Sequence, residues 1–318
     1  MADPLLVRII NTSLGVIGLI GNSIVVSVIF KVKFMHTLTN ALICNQAVVD
    51  LLGSLFLILT SNIAVSGPLL GTSGYHIVCH LWLSKFFVWS CFTASTVNLV
   101  SLTCERYVAI VYPFKYVTLY TRKSVAGMVV VTWLMGLILG VAYAAAGMTF
   151  ENGQCSSTTS VGAQALNIIL VVVQFFIPAI LMVFLYSHMT VTLKRSAERI
   201  AAIAPTVSAN LAQEDRDSSG ATRSENAEQS LLRARRNVFK TLLLVFVTFL
   251  VCWMPAEVMF TMFNFGIDLS GVMHVVSVSL VATNSCVNPF IYALKYTPFQ
   301  RGFLSLIGRK VQAEVGML

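Results

Sequence analysis

Charged residues are scarce in this sequence: only 11% of its 318 residues are Asp, Glu, Lys or Arg, whereas 57% are hydrophobic. A soluble domain typically has about 25% charged residues, so the composition argues against a water-soluble enzyme. The sequence also lacks a Cys-x-x-Cys pair and any cluster of histidines and cysteines at zinc-site spacing. Its five histidines are scattered along the chain, and no nucleophile with a neighbouring base stands out. We therefore expect a protein that is not an enzyme.

Acidic residues are the rarer of the charged types: 13 Asp and Glu stand against 21 Lys and Arg, which gives a formal net charge of +8. A basic balance can indicate nucleic-acid binding. Here, however, the basic residues lie between long apolar runs, which is typical of a membrane protein. We expect contact with membrane lipids and no nucleic-acid partner.

Seven stretches are apolar over the roughly 20 residues that are needed to cross a membrane. They lie at about 6–30, 40–64, 77–109, 125–146, 163–191, 237–264 and 271–294. Because a bilayer offers the backbone no hydrogen-bond partners, each stretch should be a helix. No alternating pattern and no repeat indicates a barrel or a solenoid. The sequence therefore predicts an all-α fold, a seven-transmembrane helix bundle, as a single domain over 1–318.

The positive charges predict how the bundle is oriented. They follow spans one, three, five and seven and are nearly absent from the other side, so the N-terminus should be outside and the C-terminus cytoplasmic. Residues 196–232 mix acids with Ser, Thr and Arg and contain few aromatics, which predicts a disordered third cytoplasmic loop. After span seven, Phe299 and Phe303 together with Arg301 and Lys310 predict a short amphipathic helix on the inner membrane surface.

Several ionisable residues lie inside the spans, where a charge costs about 2.5–3.5 kcal/mol on insertion scales. Asp50 lies near the middle of span two, Glu105-Arg106 at the inner end of span three, and Glu257 in the outer half of span six. An ionised Asp50 needs a cation or several hydrogen-bond donors around it. Amides such as Asn98 can simply join helices through hydrogen bonds.

Prolines interrupt the last three spans at Pro178, Pro255 and Pro289. A proline removes one backbone hydrogen bond and crowds the preceding turn, so it kinks a helix. Such kinks are often static, but their position beside polar residues favours the interpretation that they are hinges.

Taken together, these residues resemble the rhodopsin-like (class A) G-protein-coupled receptors over nearly the whole chain. Three segments carry most of the resemblance: Glu105-Arg106-Tyr107 is similar to the E/DRY motif, Cys252-Trp253-Met254-Pro255 to CWxP, and Asn288-Pro289-Phe290-Ile291-Tyr292 to NPxxY. The single-residue anchors of the other spans are matched by Gly21-Asn22, Asp50, Trp133, Pro178 and Tyr186. All of them occur in order, each in its proper span.

The sequence departs from the family in two places. Span two usually contains Leu-Ala-x-Ala-Asp, whereas here it reads Asn45-Gln46-Ala47-Val48-Val49-Asp50. The distance from Cys79 to Arg106 is also about two residues longer than usual, as if residues were inserted near Trp82–Trp89.

The resemblance implies a plasma-membrane receptor that activates a heterotrimeric G protein, with arrestin and receptor kinases as further partners. The implied activation switch comprises Trp253, Pro255, Glu105, Arg106, Tyr107, Tyr186, Asn288, Pro289 and Tyr292. The resemblance also implies a disulfide between Cys79 and Cys155. It implies no cofactor other than an allosteric sodium ion, surrounded by Asp50, Ser95, Asn284 and Asn288 in the inactive state. Kinases would act on third-loop hydroxyls, unless this loop is an unmodified linker.

Many relatives hold the arginine of this motif with an acid at the inner end of span six. Here that stretch reads Arg233-Ala234-Arg235-Arg236, so Glu105 should be the main restraint on Arg106. We therefore expect some ligand-independent signalling.

The residues at the outer ends of the spans indicate which classes of ligand the receptor could bind. The span-seven position of a retinal-binding lysine is Ala282, which excludes an opsin, and no acid occurs between Lys85 and Ser95, where amine receptors carry an aspartate. The candidate ligand-binding residues are Glu257, Trp89, Phe92, Gln174, Phe260 and His274. A buried carboxylate among aromatics suits a cationic group such as a peptide amine or arginine.

We therefore expect a peptide-like ligand, and the nearest resemblance is to neuropeptide receptors of the somatostatin, opioid and galanin groups. A hairpin-like second outer loop around Asn152-Gly153 agrees with this. Three alternatives stay open. Glu257 could pair internally with Lys85, the ligand could be a small amine or lipid, and, more remotely, the chain could be a transporter, although no inverted repeat is visible.

Overall fold

The computed structural model describes residues 4–65, 71–151, 153–158, 160–211, 219–265, 267 and 272–308; the side chains of residues 4, 199–232, 234, 263, 272 and 274 are not among the described parts. The α-helices in these ranges are α1 (Pro4–Lys31), α2 (Leu38–Asn62), α3 (Gly71–Val78), α4 (Phe86–Val111), α5 (Pro113–Leu119), α6 (Arg122–Gly147), α7 (Val161–Val171), α8 (Ile177–Leu211), α9 (Ser219–Asn264), α10 (Val272–Lys295) and α11 (Thr297–Leu306). A 3₁₀ turn at Lys33–Met35 joins α1 to α2.

Seven helical stretches in the described ranges are long and apolar enough to cross a membrane. Five of these spans are single helices, namely α1, α2, α6, α9 and α10. Spans three and five each consist of two α-helices joined through a π-helical segment. The prediction of an all-α seven-transmembrane bundle is confirmed.

Span three differs from the continuous helix predicted over 77–109. It begins at Gly71, passes through a π-helical turn at Cys79–Leu83, and continues as α4 after Lys85, whose backbone is left-handed with a φ of 57°. A π-helical turn is a common way to absorb extra residues in a helix. The extra length of this span is therefore taken up outside α4.

Span five also contains a π-helical segment, at Val172–Phe176, directly before Pro178. A proline ring crowds the turn that precedes it and removes one donor, and a wider turn relieves that crowding. The segment buries Gln174 and Phe175 in the bundle. Nothing in the sequence predicted this turn.

Residues 196–232, predicted to be a disordered third cytoplasmic loop, include the inner ends of α8 and α9. A disordered loop was expected over 196–232, but α8 extends to Leu211 and α9 begins at Ser219, so the described backbone is helical on both sides. Residues 212–218 lie outside the described part of the chain.

Helix α4 occupies the centre of the bundle and contacts α2, α6, α8 and α9. Its approach to α6 depends on a small residue. A Cβ atom at Gly136 would lie 2.7 Å from the backbone oxygen of Ser90 and 2.8 Å from the Cβ atom of Ala94. Small residues allow transmembrane helices to approach this closely.

The predicted amphipathic helix after span seven is present as α11. Its buried side consists of Phe299 and Gly302, and a Cβ atom at Gly302 would lie 2.9 Å from the side chain of Val28 in α1. The helix is therefore packed onto the inner end of the bundle. Lys310, expected on its polar face, lies outside the described residues.

The second outer loop forms the expected hairpin. Strand β1 (Met148–Glu151) pairs antiparallel with β2 (Gln154–Ser157), and Phe150 is opposite Cys155 in the register. Gly153 has a φ of 74°, a conformation that glycine adopts without strain at a hairpin turn. Asn152 lies outside the described residues.

Candidate functional site

The outer end of the bundle is tied together by the predicted disulfide between Cys79 and Cys155, whose Cα atoms are 5.7 Å apart. Cys79 is fully buried and begins the π-helical turn of span three, whereas Cys155 belongs to β2. The bond therefore fixes the hairpin to span three. This prediction is confirmed.

Glu257 lies in α9, one turn outward of Trp253, and only 6% of its surface is exposed. Among the described residues, its carboxylate forms no hydrogen bond and no ion pair, and the alternative pairing with Lys85 does not occur. Tyr143 of α6 lies close enough to Glu257 for the two side chains to interact electrostatically. Glu257 is thus a buried acid whose carboxylate lacks a protein partner in the described structure.

Aromatic rings connect this acid to the centre of the bundle. Trp89 stacks on Tyr143 with a centroid separation of 5.1 Å and an interplanar angle of 13°. Trp89 also contacts Phe92 edge-to-face at 6.2 Å, and Phe92 contacts Trp253 in the same manner at 6.4 Å. Trp253 is 1% exposed. Of the candidate ligand residues of span three, Phe92 is therefore in direct contact with Trp253, and Trp89 is connected to it through Phe92.

Gln174 reaches the same region from span five. Its side-chain oxygen accepts a hydrogen bond of 2.9 Å from the hydroxyl of Thr93, whereas its buried Nε2 has no partner among the described residues. Phe260 is half-buried further out on α9. His274 belongs to α10, but its side chain lies outside the described residues. Tyr143 and Thr93 were missed by the sequence analysis, because neither lies in a recognisable motif.

The inner end of span three contains a buried ionic cluster around Glu105, which has no exposed surface. Arg106 forms an ion pair with the carboxylate of Glu105, and its guanidinium also donates to the hydroxyl of Thr39. Thr39 in turn donates to Glu105 Oε1 at 3.0 Å, and the hydroxyl of Tyr116 donates to the same oxygen at 2.6 Å. The sequence analysis predicted the pair but neither of the two hydroxyls.

Tyr116 lies in α5, outside the membrane-spanning segments. Burial, and then the negative charge of Glu105, raise the pKa of Tyr116. Its phenol therefore stays protonated and remains a donor to Glu105. A carboxylate that accepts from Arg106, Thr39 and Tyr116 has its charge well satisfied despite complete burial.

The tyrosines of the predicted switch lie in three different settings. Tyr107 points away from the ionic cluster, where its hydroxyl lies 3.0 Å from Nδ1 of His188. Tyr186 stacks on Phe246 at 5.2 Å, and its hydroxyl accepts a 3.5 Å hydrogen bond from Thr103. Tyr292 is 1% exposed, and its hydroxyl has no partner among the described residues. The structure therefore does not bring Tyr107 together with the other switch residues.

Asp50 and its neighbours are buried midway between the pocket and the ionic cluster. Asp50 Oδ2 accepts hydrogen bonds from Asn288 Nδ2 at 2.9 Å and from Gln46 Nε2 at 3.1 Å. The same Gln46 nitrogen donates to the hydroxyl oxygen of Ser95. Asn284, also predicted here, is buried in α10 one turn before Asn288. The sequence analysis noted Gln46 only as a departure and gave it no role.

The arrangement fits a sodium ion poorly. A hard cation is held by oxygen ligands. Asp50 Oδ1 and Asn288 Oδ1 are buried without partners among the described residues and could serve. Asp50 Oδ2 and the oxygen of Ser95, however, both face the N–H groups of Gln46. A cation between these two oxygens would have to displace a side-chain amide.

Comparison with known proteins agrees with this architecture. Residues 21–292 match the family model described as 7 transmembrane receptor (rhodopsin family). The chain is 23% identical to the alpha-1A adrenergic receptor of Bos taurus, covering 96% of this chain and 68% of that protein. It is 28% identical to the trace amine-associated receptor 9 of Rattus norvegicus, with 93% and 85% covered. It is 26% identical to the cholecystokinin receptor type A of Homo sapiens, with 91% and 77% covered.

These relatives are signalling receptors, which removes the alternatives of a transporter and an enzyme. The seven spans and the family match make the chain a multi-pass protein of the plasma membrane. The chain belongs to the rhodopsin family of seven-transmembrane receptors, and it couples an extracellular ligand to a G protein.

Proposed function

We propose that this receptor is activated by an extracellular ligand with a cationic group, and that the ligand is a peptide. The observation that carries the proposal is Glu257, a carboxylate that is 6% exposed and has no protein partner among the described residues. Burying an unpaired carboxylate is costly, and a positive group on a ligand removes that cost.

The surroundings of Glu257 suit an amine or guanidinium group. Tyr143, which interacts electrostatically with Glu257, forms a stacked aromatic pair with Trp89, and cations are attracted to the faces of such rings. The site thus supplies one charge and aromatic faces, which is the chemistry that recognises a lysine, an arginine or an N-terminal amine.

Gln174 favours a peptide. Its Nε2 is a buried donor without a partner among the described residues, and a peptide carbonyl is a suitable acceptor for it. The hairpin β1–β2, fixed to span three by Cys79–Cys155, provides exposed backbone at the outer end, where an extended peptide could lie. A peptide carries both a cationic group for Glu257 and backbone carbonyls for Gln174.

A small amine is the second candidate, and the comparisons support it. Two of the relatives above are named as an adrenergic receptor and a trace amine-associated receptor, whereas the third is named for cholecystokinin. This chain has no acid between Lys85 and Ser95, so an amine here would be bound by Glu257 of span six. A lipid without a cationic group is less well supported, because it offers no positive charge to the carboxylate of Glu257.

Signal transmission follows from the ring contacts. A ligand on Glu257 and Trp89 acts on Phe92, which touches Trp253, and Trp253 lies two residues before the helix-interrupting Pro255. We infer that agonists favour a state in which the inner half of α9 moves outward at Pro255. In that state Arg106 leaves Glu105 and contacts the G protein. A ligand shifts this equilibrium only by its difference in affinity for the two states.

Receptor kinases and arrestin belong to the same proposal. The third-loop hydroxyls proposed as kinase sites are Ser218, Ser219, Thr222, Ser224 and Ser230. A phosphate there would add negative charge close to arginines of the same loop.

The test is a screen of peptide and amine libraries against the expressed receptor with a promiscuous G protein, followed by Glu257→Gln. Losing one partner of a buried charge pair costs about 2–5 kcal/mol, so the potency of a cationic agonist should fall by about 30-fold or more. Glu257→Asp should retain part of the response, and Glu198→Gln, the same change at an exposed position at the inner end of α8, is the matched control. Unchanged potency of every cationic agonist on Glu257→Gln would refute the proposal.

A further inference from the structure

A continuous chain of buried hydrogen bonds runs from span four to Asp50. The indole N–H of Trp133 donates to Asn45 Oδ1 at 3.1 Å, and Asn45 Nδ2 donates to Asn98 Oδ1 at 2.8 Å. Asn98 Nδ2 donates to Gln46 Oε1 at 2.8 Å. Gln46 Nε2 then donates to Asp50 Oδ2 and to Ser95. The side-chain amides that form these hydrogen bonds belong to Asn45, Asn98 and Gln46, and each of these residues is at most 8% exposed.

The direction of this chain is set by groups that can bond in only one way. The indole of Trp133 can only donate, so the oxygen of Asn45 must face it. Asn98 Nδ2 also donates to the backbone carbonyl of Leu42 at 3.0 Å, and a carbonyl can only accept. Asn98 therefore presents its nitrogen to Gln46, which must answer with its oxygen. The amide nitrogen of Gln46 is left facing Asp50.

A rotation of the Gln46 amide would put an oxygen next to Asp50, where it could serve a cation. It would also place the Gln46 nitrogen against the nitrogen of Asn98, with two buried donors facing each other. Leaving a buried polar group unpaired is costly, so the observed orientation is preferred.

The donors of Gln46 occupy the space between two of the oxygens that a sodium ion would need. The fully buried oxygens of this cluster that have no partner in the described part of the chain are Asp50 Oδ1 and Asn288 Oδ1. Two oxygens are far fewer than the roughly six or more that hard cations such as Mg²⁺ and Ca²⁺ take. The amide therefore competes directly with a cation for the site.

We propose that the side-chain amide of Gln46 replaces the sodium ion in this receptor, and that the receptor is consequently insensitive to sodium. In the aligned stretch Gln46-Ala47-Val48-Val49-Asp50, the glutamine stands where relatives usually carry a leucine. A leucine cannot donate a hydrogen bond and leaves the oxygens of Asp50 and Ser95 free. In this receptor, the amide nitrogen of Gln46 donates hydrogen bonds to the oxygens of Asp50 and Ser95 instead.

The experiment requires no ligand and does not depend on the nature of the agonist. The purified full-length receptor is unfolded by heat in sodium chloride and in choline chloride at equal ionic strength. We expect the wild-type Tm to be the same in both salts. Gln46→Leu should acquire a sodium-specific increase in Tm of about 2–4 °C, because a cation that binds only the folded state stabilises it.

Three variants sharpen the result. Adding Asp50→Asn to Gln46→Leu should abolish the gained sodium effect, and Gln164→Leu, the same change at an exposed position, should show none. Gln46→Met removes the donor and keeps an unbranched side chain, in case the leucine variant folds poorly. A sodium-specific increase in the wild-type Tm that Asp50→Asn removes would overturn the proposal. So would a folded Gln46→Leu or Gln46→Met protein that remains insensitive to sodium.

Discussion

The guanidinium of Arg106 donates a hydrogen bond to the hydroxyl of Thr39, and that same hydroxyl donates to Glu105 at 3.0 Å. Thr39 lies in the first turn of α2, whereas Arg106 and Glu105 are adjacent in α4. One threonine therefore joins two helices and contacts both members of the ion pair. Opening the inner end of the bundle requires these bonds to be broken.

Wild-type receptor should signal without a ligand. In the described structure, the only ion pair of Arg106 is with its own neighbour Glu105, and no acid on span six takes part. Few interactions therefore favour the restrained state over the state in which Arg106 is released. Basal second-messenger output in transfected cells should increase with receptor expression at the cell surface. Output equal to that of cells without the receptor would contradict this.

Thr39→Val should raise basal output further. Hydrogen bonds to charged groups are worth about 1.5–3 kcal/mol, so losing the bond to Arg106 should shift the equilibrium by about tenfold or more. Basal output at equal surface expression is the measurement, and Thr39→Ser, which keeps the hydroxyl, should behave like wild type.

Tyr116→Phe separates this effect from a general loosening of the cluster. Tyr116 donates to Glu105 and forms no hydrogen bond with Arg106 in the described structure, so this change leaves the bonds of Arg106 in place. If Tyr116→Phe raised basal output as much as Thr39→Val, the special role of Thr39 would be wrong.

Two glycines of α6 should respond in opposite ways to alanine. A Cβ atom at Gly136 would meet the backbone of Ser90 at 2.7 Å, whereas one at Gly127 would meet nothing within 4 Å. Gly136→Ala should lower the Tm, because overpacking costs about 1–3 kcal/mol. Gly127→Ala should leave the Tm unchanged or raise it slightly, because alanine favours a helix by up to about 1 kcal/mol. Equal shifts in the two variants would show that the contact between α4 and α6 is looser than described.

Much of the architecture could be predicted because the bilayer imposes it. The length and apolarity of each span, the positive charges on one side, and the proline positions are local properties of the chain, and they indicated seven helices and their orientation. The two outer cysteines were recognised through the family resemblance. The π-helical turns at Cys79–Leu83 and Val172–Phe176 were not predicted, because a one-residue change of hydrogen-bond register leaves no clear mark on hydrophobic periodicity.

The sequence alone determined that this protein is a helical bundle in a membrane with ionisable residues at a few buried positions, because apolar length and motif order need no knowledge of contacts. Only the tertiary structure decided which partners those residues have. Thr39 holds Arg106 and Gln46 donates to Asp50, and in both cases residues from different helices, or from successive turns of one helix, meet inside the bundle. Glu257 has no such partner among the described residues, and this too depends on how the helices pack. The physical reason is that hydrogen bonds are directional and short-ranged, so their pairing follows from packing and cannot be inferred from composition.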